Sequence, residues 1–167
     1  MTNEASNHAR DDSEVASKPI ARKLQLVRAG TSQFGVFADQ IATIVAWRPP
    51  TPLPNAPKAV LGVVSVQGRM LTVIDLASLP GGEMPSDALD SPSSLVALRG
   101  DEQLALAVNE VGEGIELESG DFNAQPQHAG KLLLGVLQRN GAPIKILNLR
   151  ELFPTAIQGR ERRRRRF

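Results

Sequence analysis

The twenty residues from Val60 to Leu79 recur, without a gap, as Leu133 to Leu152. Gly62 falls on Gly135, Gly68 on Gly141, Asp75 on Asn148, Leu76 on Leu149 and Leu79 on Leu152. A weaker match, offset by about three residues, pairs Phe34–Asp39 with Leu104–Asn109. The chain thus carries two copies of one small β-unit. A unit that small lacks core volume of its own, so the copies are expected to share an apolar interface. A duplicated unit without catalytic equipment suits a docking body better than an enzyme.

A chain of 167 residues suits one domain or two tightly joined subdomains, and buries about two-thirds of its unfolded surface. There is no cysteine, which excludes disulfides, thiolate metal sites and a cysteine nucleophile. No apolar run approaches the roughly 18 residues that span a bilayer. The N-terminus lacks the charged-then-apolar layout of a secretory signal. A cytoplasmic protein that inserts in no membrane is therefore expected.

The net charge of +1 conceals an asymmetry. Arg160 and Arg162, Arg163, Arg164, Arg165 and Arg166 against Glu161 give the tail +5. The body from Leu24 to Thr155 holds nine basic and thirteen acidic residues, giving −4. The tail has three readings. It can contact phosphate backbones or other anions, it can touch an anionic membrane surface, or it is a solvated end. With no interleaved aromatics except Phe167, and with an acidic body, sequence-specific nucleic-acid reading is the weakest of these.

Residues 1–23 are polar and are expected to be disordered, with a folded body over 24–155 and a basic tail over 156–167. Leu24–Arg28 and Phe34–Phe37 read as a hairpin turning near Gly30, and Ile41–Trp47 as the next strand. Pro49, Pro50, Pro52, Pro54 and Pro57 then make an extended connector, read as a stiff strap rather than a ligand for proline-recognition domains. Val60–Val66 and Arg69–Leu76 pair around Gln67-Gly68, and Gly81–Ser94 is a loop between the halves. Leu95–Leu98, Leu104–Val108, Val111–Leu117, Leu132–Gln138 and Ala142–Leu149 follow. Asn140-Gly141 gives a strong tight-hairpin signal. A short helical turn is expected over Leu149–Phe153. Short, evenly spaced strands argue for an all-β barrel or sandwich.

Candidate chemistry is sparse. His8 and His128 stand apart, so no metal cluster forms, and no cofactor is expected. No serine sits in a nucleophile-elbow pattern. Gly112-Glu113-Gly114 lacks the third glycine of a phosphate loop and reads as a turn. Asp101 and Glu102 fall at a hairpin tip where solvent keeps both ionised, and Arg99-Gly100-Asp101 reads as that turn. A nucleophile–base pair is not visible, so a hydrolase is a poor reading.

Pro52-Leu53-Pro54-Asn55-Ala56-Pro57, then Val60-Leu61-Gly62-Val63-Val64, then Gly68 and Val73-Ile74-Asp75-Leu76, resemble the signature of the CheW family, the coupling proteins of bacterial chemotaxis arrays. Phe34-Gly35-Val36, Leu106-Ala107-Val108-Asn109-Glu110-Val111 and Leu134-Gly135-Val136 resemble its further motifs, with Asn109 in an aspartate's place. The resemblance covers Leu24 to Phe153. It implies two five-stranded SH3-like β-barrels packed on a shared apolar core. It also implies a non-enzymatic adaptor joining the cytoplasmic tip of methyl-accepting chemoreceptors to the regulatory domain of a CheA-type histidine kinase. Exposed barrel edges make weak self-association a further expectation.

By position, the resemblance places Ile41, Thr43, Gly62, Val63, Val66, Gln67 and Gly68 at the receptor or kinase interface. For Val63 and Val66 a core position is as good a reading as a groove position, whereas Thr43 and Gln67, being polar, are expected to be exposed. Two departures mark a divergent member. Thr43 stands where the family usually has glutamate, and Ser65-Val66-Gln67-Gly68 where it has Asn-Leu-Arg-Gly. Lost charges remove contacts that orient a partner helix; Arg69 offers a charge on the opposite face. The alternative is a small nucleic-acid- or anion-binding β-barrel that takes its affinity from the arginine tail.

Overall fold

Strand-forming apolar runs separated by turn residues give ten strands in the computed structural model, which describes residues 21–79, 91–118 and 132–158. They are β1 (Arg22–Ala29), β2 (Ser32–Phe37), β3 (Ile41–Ala46), β4 (Val60–Val66), β5 (Arg69–Asp75), β6 (Ser94–Leu98), β7 (Leu104–Val108), β8 (Glu110–Leu117), β9 (Leu133–Arg139) and β10 (Ala142–Leu147). Single 3₁₀ turns follow β2, β5 and β10, and a short helix, α1 (Leu152–Gln158), ends the described chain. The all-β expectation holds, with the terminal helical turn longer than the sequence suggested.

Two five-stranded sheets result, in the orders β8-β1-β2-β10-β9 and β3-β6-β7-β5-β4. Each curls around its own apolar interior, as the barrel expectation requires. Leu24, Leu26, Phe37, Leu117, Ile144 and Ile146, with Ile115 and Leu137 beside them, fill the first and draw on all five of its strands. Val64, Val66, Leu71, Val73, Leu95, Ala97, Ala105 and Ala107, with Val45 and Trp47, fill the second.

A third cluster is common to both sheets. Val27, Ala29, Phe34 and Val36 of the first meet Ile74, Val96, Leu98, Leu104, Leu106 and Val108 of the second, with Leu147, Leu152 and Ala156. β7 therefore buries both faces and reads as an unbroken apolar run, as strands covered on two sides do. β3 and β8, at sheet ends, are mostly exposed or half-buried. The shared interface argued from the repeat exists.

The barrels are not the two copies laid end to end, however. Each sheet takes its first hairpin from one copy and three strands from the other. β2 runs parallel to β10 with Phe34 beside Lys145, and β7 runs parallel to β5 with Leu104 beside Thr72. These are equivalent positions of both sequence matches, so the repeat is preserved in the register. The crossing has a simple cause. β2 is hydrogen-bonded on both sides, to β1 and β10, so the chain leaving it must pair elsewhere, and β3 joins β6.

The folded body also outruns the expected bounds. Arg22 and Lys23 lie in β1, and Ala156 is 3 % exposed in the shared cluster. Gly112-Glu113-Gly114, expected as a turn, lies inside β8, where Gly112 and Glu113 bulge opposite Leu26 of β1 and Gln25 Nε2 donates to Gly112 O at 2.7 Å. The bulge was invisible in a stretch whose glycines and charges mimic a turn. The head up to residue 20, the loop over 80–90, the bend through Gly120 and Pro126, and the arginine tail lie outside the described residues.

Asp75 closes β5 by capping the following 3₁₀ turn: its Oδ1 accepts from Ala77 N at 3.1 Å and its Oδ2 from Ser78 Oγ at 2.5 Å. Asp75→Ala is expected to cost about 1 kcal/mol, read as a lower denaturant midpoint at unchanged slope.

Candidate docking surface

β3 lies at one end of its sheet and β4 at the other. The curl of the barrel brings them together, since Arg48, just past β3, donates from Nη1 to Ser65 O at 3.3 Å. The proline strap runs between. Thr51 N donates to Val63 O at 2.8 Å and Val63 N to Thr51 O at 2.9 Å, so the strap occupies the outer edge of β4. An edge covered in this way is closed to stray strand pairing.

A register shift between Ile41 and Thr43 decides which β3 side chains face outward. Ile41 packs against the shared cluster, and its carbonyl accepts from Arg99 Nε at 3.1 Å. Thr43 sits opposite Ala97 of the barrel interior and is half-buried, not exposed as its polarity suggested. Ile44, opposite Val96, is 39 % exposed. Ile41 and Ile44 thus lie on the side of the sheet that faces the other barrel.

On the β4–β5 hairpin the turn is Gln67-Gly68, with φ of 49° and 77°, matching 51° and 78° at Asn140-Gly141. These are the two consecutive positive φ values that a type I′ hairpin needs. Gln67 and Gly68 are exposed, as expected of Gln67. Val63 is half-buried; Val66 is 2 % exposed and Gly62 is buried beneath Thr51. For Val66 the core reading is the correct one, because alternation along β4 turns it inward with Val64. Of the expected interface residues, Gln67 and Gly68 are exposed on the β4–β5 turn, Ile41, Thr43 and Val63 are half-buried, and Gly62 and Val66 are buried.

Five outward apolar residues escaped the sequence reading: Met70 is 55 % exposed and Leu53, on the strap, 42 %, with Ile44, Leu134 and Phe153 also exposed. Met70 was legible, since it alternates with buried Leu71 and Val73. Ile44 was not, because the β3 register shift resets the alternation. Arg69 reaches the β6–β7 turn, its Nη2 donating to Gly100 O at 3.4 Å. It does not replace the charge missing at Gln67.

Asp101 and Glu102 are exposed at the β6–β7 turn, as expected. A cleft of about 300 Å³ beside them is lined by Gln40, Arg99, Gln103, Leu149 and Arg150 among others, with no serine, threonine, histidine or cysteine. Among the described residues no cluster of His, Asp or Glu is placed to hold a metal ion, and no helix is long and apolar enough to cross a membrane.

Residues 23–156 match the family model of the CheW-like domain. The chain is 28 % identical over 138 residues to the chemotaxis protein CheW of Rhizobium meliloti, covering 80 % of this chain and 88 % of that protein. Its fold superimposes on the scaffolding protein TtCheW from Thermoanaerobacter tengcongensis with a TM-score of 0.69 at 19 % identity, covering 91 % of this chain and 94 % of the other.

Proposed function

The chain belongs to the CheW-like domain family, and from that premise we propose that it is a non-enzymatic adaptor which joins a chemoreceptor tip to the regulatory domain of a CheA-type kinase. The observation that carries the reading is the apolar surface of the second barrel. On that barrel Ile44 of β3, Met70 of β5 and Leu53 of the strap expose apolar side chains, and the strap closes the edge of β4. Apolar side chains on a stiff sheet suit the apolar face of an amphipathic helix, with polar rim residues such as Gln67 setting register. With Thr43 and Gln67 uncharged, docking rests on packing more than on ion pairs, and its affinity changes little between low and physiological salt.

The test is co-sedimentation and titration with a receptor-tip peptide and with a purified kinase regulatory domain. Ile44→Asp is expected to weaken binding to at least one of them by tenfold or more, with an unchanged melting temperature, because a carboxylate there must be desolvated on docking. A chain ending at Gln158 is expected to bind as the full chain does, which separates this reading from one based on the arginine tail. Absence of binding to both partners removes the adaptor reading.

A further inference from the structure

We propose that the two sequence copies are separable assembly partners, so that a second copy of this chain can supply either half and two chains can close as an exchanged dimer. The partner surface is the one each half already offers the other. Residues 22–79 present β1–β2 to β8 and β10, and receive β6–β7 against β3 and β5. Four of the eight strand pairings cross this divide. Both parallel pairings do so, as does the shared cluster, which mixes side chains of the two copies. Asn109 adds a polar tie, its Oδ1 accepting from Gly30 N at 2.7 Å and its N donating to Arg28 O at 2.8 Å.

A half alone keeps two two-stranded hairpins, β1–β2 and β4–β5 or β6–β7 and β9–β10, and one strand, β3 or β8, without a partner; isolated hairpins are marginal in water. Every contact between halves has the same geometry whether the halves share a chain or come from two. Closed monomer and exchanged dimer therefore differ only in the link and in concentration. The link, residues 80–92, reaches roughly 40 Å when extended, against a radius of gyration of about 14 Å for a body of this size. It is long enough to lead from one two-barrel body to its neighbour. Intramolecular closure enjoys an effective concentration in the millimolar range, so the monomer prevails in dilute solution and exchange appears when chains refold together at high concentration.

The absence of cysteine makes the test clean. Arg28 and Glu110 are register partners across the divide, while Ser65 and Met70 are register partners within one half. Chains carrying only Arg28→Cys and chains carrying only Glu110→Cys are unfolded together, refolded at high concentration and oxidised. Interchain disulfide dimers are expected at least tenfold above those from a Ser65→Cys and Met70→Cys mixture, and above either chain refolded alone. Lys23→Cys with Glu116→Cys, also register partners across the divide, is the second pair and is expected to behave like the first. Cross-divide mixtures that yield no more dimer than the within-half mixture, with circular dichroism showing all chains folded, overturn the proposal.

Discussion

Gly62→Val is expected to lower the stability of the protein by roughly 3 kcal/mol or more and to weaken partner docking with it. A Cβ at this position stands 2.1 Å from Thr51 O and 2.6 Å from Thr51 C. Both are backbone atoms of the strap and cannot rotate aside. The backbone at Gly62 is at φ +144°, which side-chain-bearing residues seldom adopt. Relief requires the strap to lift, which breaks the two Thr51–Val63 hydrogen bonds and uncovers the edge of β4. Gly68→Ala is the control: φ is +77° there, but nothing lies within 4 Å of the added carbon. It should cost only about 1 kcal/mol. Equal effects from the two changes, measured by urea unfolding, show that strap contact is not what holds Gly62 in place.

Leu106→Ala is expected to cost about 3–4 kcal/mol, within the range for a fully buried leucine whose cavity cannot collapse. Leu106 has no exposed surface and lies in the cluster that both sheets share. That is a large part of the 5–15 kcal/mol that holds a typical domain together. Because the cluster belongs to both barrels, they should weaken and unfold as one. Trp47 is the only tryptophan and packs against the interior of the second barrel, so its fluorescence follows that barrel, while far-ultraviolet circular dichroism follows all ten strands. The two signals should give one midpoint in both the parent and the variant. Separate midpoints mean that the shared cluster does not couple the barrels.

Much of this architecture is legible in the residues. Asn140-Gly141 and Gln67-Gly68 mark two hairpin turns, and both adopt the expected backbone. The run Leu104–Val108 reads as a strand, which the structure covers on both faces, and the prolines from Pro49 to Pro57 announce a connector rather than a strand. The proposed docking surface was legible only in outline. Gln67 and Gly68 come out exposed, but alternation within β4 hides Val66, the approach of Thr51 hides Gly62, and the register shift in β3 exchanges Thr43 for Ile44 as the outward residue. A bulge costs little locally and leaves no mark in composition, yet it turns over every side chain beyond it.

The sequence by itself determined most of the strands, their tight turns and the duplication, because each depends on residues near one another along the chain. Only the tertiary structure decided that the first hairpin of each copy completes the other copy's sheet. That choice depends on which distant strand has an unpaired edge and which faces can be buried together, and no local stretch of residues carries that information.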